Sequence, residues 1–183
     1  SHNGSGFETI QKACDKKEIN AQVVLVISNN TNAKVLQKAE NKNIPNFIIN
    51  DKKYPTENID KKITDLMKEF KIDYIFLSGY MKKIEKNLVT TFENKIINSH
   101  PALLPKFGGK GMFGTNVHKA VIEAKENESG CTIHFVNENY DEGEFILQNK
   151  IVLDENETVE SLENRIKDLE SITITEAFKK LLA

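Results

Sequence analysis

The sequence has no tryptophan, two cysteines and a single arginine among its 25 basic residues, and each scarcity excludes a class of site. Because Arg165 stands alone, paired guanidinium clamps are nearly ruled out. A bound phosphate would then be held by lysine, hydroxyl groups or backbone amides. Cys14 and Cys131 lie far apart and form no CxxC pair. That arrangement is typical of buried, reduced thiols in a cytoplasmic protein, rather than of a disulfide or a catalytic thiol.

Long apolar runs and an excess of one charge are also lacking. No apolar run approaches the ~18 residues of a membrane span. The 27 acidic and 25 basic residues leave a net charge of −2, which argues against a dedicated nucleic-acid binder. The 183 residues, 39% hydrophobic and 28% charged, are typical of one globular domain that can bury its own core. We therefore expect a single domain over residues 1–183, with neither nucleic acid nor membrane as a partner.

Strand-like and helix-like patterns alternate along the first hundred residues. Short apolar, β-branched runs at 22–28, 46–50, 73–78 and 95–98 predict strands covered on both faces. Helical patterns lie between them, one of them after a predicted cap at Thr56. This order implies right-handed βαβ crossovers, so the predicted fold is α/β: a Rossmann-like three-layer sandwich with a mostly parallel sheet.

The pattern changes after residue 100. A loop rich in proline and glycine covers 101–114, a helix is predicted over 115–126, and strands are predicted over 131–136 and 145–153. A last helical pattern begins near Thr158, and the β-branched run 172–175 weakens it. Ligands of open α/β sheets bind at the carboxyl ends of the strands, so the polar residues there are the candidates for chemistry.

Two polar segments could carry that chemistry together. Asn98 and His100 point to the same side of an extended segment, where an amide and an imidazole can polarise a carbonyl and move a proton. Asp141 lies in a polar connection in which Gly143 permits a tight turn. If Asp141 meets His100, it would favour the imidazolium. A satisfied structural histidine and ordinary turn chemistry remain the alternatives.

Two glycine-containing segments could bind an anion. Asn3-Gly4-Ser5-Gly6 opens an amphipathic helix, and its amides could face a phosphate, although a plain helix entry has the same pattern. The loop 103–111 could cradle phosphate, act as a mobile flap or simply be solvated. His118 and His134 are interpreted as ordinary structural histidines, and no zinc site is expected.

One set of motifs resembles a known family. The signature is Asn98-x-His100-Pro101-Ala102-Leu103-Leu104-Pro105-Lys106-Phe107, followed later by Asp141-x-Gly143, with supporting phrases at 3–5, 77–81, 131–136 and 146–148. It resembles that of the folate-dependent formyltransferases across nearly the whole chain. The closest resemblance is to the branch that formylates glycinamide ribonucleotide in purine biosynthesis.

The resemblance implies transfer of a formyl group from N10 of 10-formyltetrahydrofolate, a co-substrate, to the amine of glycinamide ribonucleotide. Asn98 and protonated His100 would stabilise the tetrahedral oxyanion, and Asp141 would hold His100 charged and relay a proton through water. No metal and no covalent nucleophile would be needed, and the partners would be these small molecules, bound by a monomer or weak homodimer. Gly4, Ser5 and Gly6 would bind the substrate phosphate, and Glu170 its sugar. The pterin pocket would be lined by Leu77, Met81, Lys82, Lys83, Ile84, Asn137 and Tyr140.

The sequence also departs from that family. His2 stands where glycine is usual, Gly6 where asparagine is usual, Lys82 where arginine is usual and Ser171 where histidine is usual, and the loop 108–115 is longer than in many members. The family begins with a central strand before the glycine loop, which this sequence lacks. We expect the natural protein to carry that strand.

Other functions share the same residues. A 10-formyltetrahydrofolate hydrolase would use the same Asn, His and Asp with water in place of the amine, usually with an additional N-terminal regulatory domain. A non-catalytic nucleotide- or folate-binding module is the second alternative. A methionyl-tRNA formyltransferase would need an RNA-binding domain and more basic charge.

Overall fold

Strands and helices alternate along the chain in the computed structural model, which describes residues 3–183. The helices are α1 (Ser5–Asp15), α2 (Lys34–Glu40), α3 (Ile59–Glu69), α4 (Lys86–Thr91), α5 (Thr115–Glu123) and α6 (Val159–Leu181). The strands are β1 (Val26–Ser28), β2 (Asn46–Ile48), β3 (Ile75–Leu77), β4 (Ile96–His100), β5 (Glu128–Phe135) and β6 (Phe145–Val152). The predicted α/β class is confirmed.

The strands pair in two ladders. β1 pairs with β2 in parallel, and β3 pairs with β4 in parallel. β5 then pairs with β4, and β6 pairs with β5, both antiparallel, which gives the strand order β3-β4-β5-β6. The parallel pairs come from the alternating first half of the chain, and the antiparallel pairs from the second half. Within residues 3–183 no backbone ladder joins β1 to β3. A further strand in the natural protein stays a prediction.

Strand β4 is covered on both faces. Its neighbours Ile96 and Ile97 are each 0% exposed, and because successive strand residues face opposite ways, they enter different cores. Ile97 packs in the core that includes Phe178 of α6, and Ile96 packs in the core that includes Leu88 of α4. Burial of each such side chain contributes about 1.5–3 kcal/mol. The helical layers therefore hold β4, and with it the polar residues at its end, in a rigid position.

Two details of the helices differ from the sequence-based prediction. The N-cap of α3 is Asn58, whose side chain accepts a hydrogen bond from the Lys61 amide at 2.8 Å, so the prediction of a Thr56 cap was wrong. Helix α6 runs unbroken through its β-branched segment, because Thr173 and Ile174 are buried there and packing outweighs their weak helix propensity. The predicted start at Thr158 is confirmed by a capping box with Ser161.

The turn that carries Asp141 depends on a close backbone contact. A Cβ added at Gly143 would lie 1.7 Å from the Phe135 carbonyl oxygen, so only glycine fits there. Asp141 itself has a φ of +56°, a left-handed conformation that aspartate tolerates better than most residues. In the part of the chain that the structure describes, no helix combines the length and apolarity needed to cross a membrane.

Candidate active site

A cavity of about 700 Å³ lies at the carboxyl ends of β3 and β4, where open α/β folds bind ligands. It brings together nearly all of the predicted site residues. Those that line it are Gly4, Ser5, Leu77, Met81, Lys82, Lys83, Ile84, Asn98, His100, Asn137, Tyr140, Asp141 and Glu170.

Gly6 is the predicted site residue that does not line this cavity. It is buried, and a Cβ added to it would lie 2.4 Å from Ser78 Oγ and 2.9 Å from Phe76 Cε1. Because glycine has no side chain, α1 can approach β3 closely. Packing therefore requires a glycine at this position. His2, the other departure near this loop, lies outside the described residues.

Asp141 lies between two imidazoles. His100 Nδ1 is 3.6 Å from Asp141 Oδ2, and His134 Nε2 is 3.6 Å from Asp141 Oδ1. His134 stands opposite Asn98 in the β4–β5 ladder, and the Asn98 Nδ2 amide lies 3.2 Å from His134 Nε2. His134 belongs to the cluster that Asn98, His100 and Asp141 form, a placement that its interpretation as an ordinary structural histidine did not anticipate.

Backbone carbonyls decide which ring nitrogens carry protons. His100 Nε2 is 2.8 Å from the Phe107 oxygen, and His134 Nδ1 is 2.8 Å from the Phe135 oxygen. A carbonyl oxygen only accepts, so both of these nitrogens donate. In the neutral rings the other nitrogens, which are the two that face Asp141, therefore hold lone pairs. Two imidazole nitrogens and a carboxylate thus converge on a place where one proton can bind.

The charges of the cluster differ from the sequence-based expectation. Burial lowers the pKa of His100 below its ordinary value and outweighs the opposing effect of Asp141. Burial raises the pKa of Asp141, but the contact with His134, the Gly109 amide and His100 together bring that pKa below its usual range. This direction opposes the effect expected from Asp141, so a role of Asp141 in keeping His100 charged stays a prediction. At neutral pH the cluster holds a carboxylate and a neutral His100, and it is ready to accept a proton.

The same residues anchor the glycine loop. Asp141 Oδ2 accepts a hydrogen bond from the Gly109 amide at 2.9 Å, next to the Phe107 carbonyl that binds His100. Residues 109–114 line the cavity, and there is open space beside Gly111. Of the alternatives for this loop, a purely solvated loop does not fit, because its backbone is tied to the cluster.

The predicted pterin residues form a partly exposed apolar wall. Met81 is 53% exposed and Tyr140 is 42% exposed, which is unusual for large apolar side chains and typical of a ligand surface. Lys83 Nζ lies 5.8 Å from the Tyr140 ring centre, and Lys82 donates to Asp51 at 2.6 Å. These lysines flank the wall without covering it.

Helix α6 adds a half-buried carboxyl group, that of Glu170. Ser99 Oγ donates a hydrogen bond to Glu170 Oε1 at 2.5 Å. Burial raises the pKa of Glu170, although the Ser99 hydrogen bond and nearby Lys167 oppose the change. Burial therefore disfavours the ionised form of Glu170, which lines the cavity and accepts the hydrogen bond from Ser99.

Sequence reasoning missed three other residues that line this part of the cavity: His118, Glu163 and Lys167. The spacing of Glu163, Lys167 and Glu170 on α6 places them on one helical face, which was a signal available in the sequence. His118, which was interpreted as an ordinary structural histidine, is buried on α5, and its Nδ1 has no hydrogen-bond partner in the described residues.

Lys167 lies beside the start of α1. Helices α1 and α6 run parallel, since Thr9 Oγ1 is 2.6 Å from Ser171 Oγ and, further along α6, Lys179 Nζ is 3.1 Å from Glu18, which lies just after the end of α1. One turn before the Thr9–Ser171 contact are Ser5 and Lys167. The free amides at the start of α1 and a lysine ammonium therefore share one end of the cavity, where they suit an anion.

Comparison with known proteins identifies the family of this chain. Residues 1–178 match the profile of a family described as formyl transferase. The chain belongs to the formyl transferase family.

Individual formyl transferases are similar along most of the chain. The phosphoribosylglycinamide formyltransferase, chloroplastic, of Arabidopsis thaliana is 38% identical over 168 residues, which cover 91% of this chain and 58% of that protein. This chain thus spans less than two thirds of the length of that curated relative. The crystal structure of phosphoribosylglycinamide formyltransferase from Bacillus halodurans matches with a TM-score of 0.91 and 30% identity, covering 100% of this chain and 92% of the other.

The fold extends beyond transferases. A formyltetrahydrofolate deformylase from Pseudomonas syringae matches with a TM-score of 0.84 at 19% identity, covering 96% of this chain and 57% of the other. At that identity the likeness concerns the fold alone. The chemistry of this formyl transferase must therefore be argued from its site.

Proposed function

We propose that this formyl transferase moves the formyl group of 10-formyltetrahydrofolate to the amine of glycinamide ribonucleotide. The observation that carries the proposal is the placement of Asp141 between His100 and His134 beside Asn98, within a cavity that also has an anion-binding end. The similarity to phosphoribosylglycinamide formyltransferases along nearly the whole chain supports the choice of substrates.

The cluster suits attack of an amine on a formyl carbon. As the amine nitrogen bonds to that carbon, the carbonyl oxygen becomes an oxyanion and the amine becomes more acidic. Asn98 donates one amide hydrogen to His134 Nε2, which leaves its second amide hydrogen to donate to the oxyanion. Such a donor contributes about 2.7–4 kcal/mol to transition-state stabilisation.

The proton then passes through the cluster. The attacking amine loses a proton to the site formed by Asp141 and the two ring nitrogens, and the bond between the formyl carbon and N10 breaks as N10 gains a proton. The products are the formylated amine and tetrahydrofolate. A proton held at His100 or His134 places a positive charge beside the oxyanion. The buried His100 is neutral before the reaction, so it stabilises the oxyanion by its charge only while the intermediate exists.

The ends of the cavity orient the two substrates. The start of α1 at Gly4 and Ser5, together with Lys167, is suited to the phosphate. Glu170 presents acceptor oxygens to sugar hydroxyls. The wall around Met81 and Tyr140 offers an apolar face for the pterin of the folate. Free Cys14 and Cys131, with the pKa of Cys131 raised to about 12 by burial, support a reducing compartment such as the cytoplasm.

A single assay tests the proposal. Loss of 10-formyltetrahydrofolate is followed with and without glycinamide ribonucleotide, and we expect rapid loss only when the amine is present. Equal loss without the amine would indicate a hydrolase, and no loss in either case would indicate a binding module. Asn98→Ala, His100→Ala and Asp141→Asn should each lower kcat by about 10²-fold or more.

The matched control is Asn149→Ala, which removes a side-chain amide whose hydrogen bond to Glu176 lies outside the cavity. That variant should keep the wild-type rate. Retention of wild-type rates by all three cluster variants would contradict the assignment of the catalytic residues.

A further inference from the structure

Glu163 engages the lysine that stands at the anion-binding end of the cavity. Lys167 Nζ donates to Glu163 Oε1 at 2.7 Å, one helical turn away on α6. The Lys167 side chain is 58% exposed and that of Glu163 is 29% exposed, and both line the cavity. The ion pair therefore lies where an incoming ligand can reach it.

A second contact holds the Glu163 carboxylate in place. Thr115 Oγ1 donates to Glu163 Oε2 at 3.1 Å, and Thr115 is the first residue of α5, directly after the glycine loop. The pKa of Glu163 is lowered, because the hydrogen bond from Lys167, which has the largest effect, and the hydrogen bond from Thr115 together outweigh burial. The group is thus a fixed negative charge at neutral pH.

The other lysines of this cavity engage different partners. Lys82 binds Asp51 and Lys83 lies over the Tyr140 ring, so both stand at the folate wall. His118 lies near Glu163, and because burial lowers its pKa it does not add a cation there. Lys110 also lines the cavity, and Lys38 binds the Asn3 carbonyl and Glu8 beside the start of α1. Lys167 is the cavity lysine on α6, and it already holds a carboxylate.

We propose that Glu163 competes with the substrate phosphate for Lys167, so that this carboxylate sets the affinity for phosphate-bearing ligands. The inference rests on the proposed function for the identity of the ligand. The competition itself requires only a ligand that carries a phosphate group. A phosphate that approaches Lys167 must share the ammonium with Glu163 and is repelled by that carboxylate. Glu163 thus acts through Lys167 and does not touch the reacting atoms.

The test is the variant Glu163→Gln, which keeps the shape and removes the charge. We expect KM for glycinamide ribonucleotide to fall about three- to tenfold, on the scale of a partly exposed charge interaction. KM for 10-formyltetrahydrofolate should stay unchanged, and the effect should appear in KM rather than in kcat. Glu160→Gln removes one charge from an exposed position on the same helix and serves as the matched control.

A binding measurement separates this inference from the proposed function. Inorganic phosphate, titrated by calorimetry into the wild-type chain and into Glu163→Gln, should bind the variant more tightly by a similar factor. In a Lys167→Met background, Glu163→Gln should lose most of that effect, since the competition requires the lysine. Tighter phosphate binding in a chain that shows no formyl transfer would support the role of Glu163 while overturning the proposed function.

Three results would overturn the inference: unchanged phosphate affinity in Glu163→Gln, equal gains in Glu160→Gln, or the full gain persisting without Lys167. Glu163→Ser, which removes the carboxylate with a shorter side chain, should move phosphate affinity in the same direction. Circular dichroism of each variant checks that the fold is retained.

Discussion

His134 Nε2 lies 3.6 Å from the Asp141 carboxylate oxygen that does not face His100, so the two histidines share one carboxylate. Each ring is oriented by a hydrogen bond to a backbone carbonyl, so that in the neutral ring the nitrogen facing Asp141 is the one that can accept a proton. The basic unit of the site is therefore three groups acting together, and His134 should matter to catalysis nearly as much as the residues at the end of β4.

The first prediction concerns His134. Asparagine at this position can still donate to the Phe135 carbonyl but has no nitrogen that accepts a proton. We expect His134→Asn to lower kcat by about 10²-fold, the range of general acid–base effects, with little change in thermal stability. Because the groups act as a unit, His134→Asn combined with Asp141→Asn should cost much less than the product of the single effects. Steady-state kinetics check this, and a wild-type kcat in His134→Asn would refute it.

The second prediction concerns Glu170. Its folded pKa is raised, so its contribution to stability is present below the unfolded pKa and is lost as pH rises through the folded pKa. Glutamine mimics the protonated form and escapes this loss. Glu170→Gln should therefore have a higher Tm than wild type at pH 7, with the difference disappearing near pH 4, while KM for glycinamide ribonucleotide rises.

Thermal melts across that pH range, paired with kinetics, check the prediction for Glu170. Glu176→Gln, an exposed position two turns along α6, is the control and should show no such pH-dependent gain. A Tm difference that grows toward acid pH would contradict the sign of the argument.

The third prediction concerns stability in mild acid. Burial lowers the pKa of both His100 and His118, so their contribution to stability is present above the ordinary histidine pKa, about 6.5, and is lost as pH falls through the folded values. The free energy of unfolding should decline as pH falls from 7 to 5. In His118→Gln, which cannot gain the buried charge, that decline should be smaller. Urea titrations at several pH values measure both slopes, and parallel slopes would count against the prediction.

The fourth prediction concerns two glycines near the site. Gly143→Ala would drive a Cβ into the Phe135 carbonyl, so we expect a loss of about 3 kcal/mol or more and displacement of Asp141. Gly111 has a φ of +91° but open space around it, so Gly111→Ala should cost only about 1 kcal/mol of backbone strain. Denaturant unfolding compares the two variants. Equal costs would mean that the contact with Phe135 is relieved at little expense.

Local sequence patterns predicted the fold class and part of the candidate site. Alternating apolar runs and helical spacings predicted the α/β fold. The two-residue period of an extended segment placed Asn98 and His100 on one side, because side-chain direction in a strand depends only on local geometry. The start of the last helix near Thr158 was predicted from its helical spacing. The resemblance then supplied the remaining site residues, and the cavity contains all of them apart from Gly6.

Other properties depended on tertiary structure. His134 joins the cluster only through the antiparallel register that sets it opposite Asn98, and no local pattern encodes that pairing. The charge of His100 follows from how deeply its ring is buried, which reverses the expectation drawn from Asp141 alone. Lys167 and the start of α1 line the same cavity because two helices distant in sequence pack in parallel. The sequence by itself determined which groups were available and their local directions. Only the packing of distant segments decided their distances and their protonation, since burial and electrostatic interaction depend on neighbours in space.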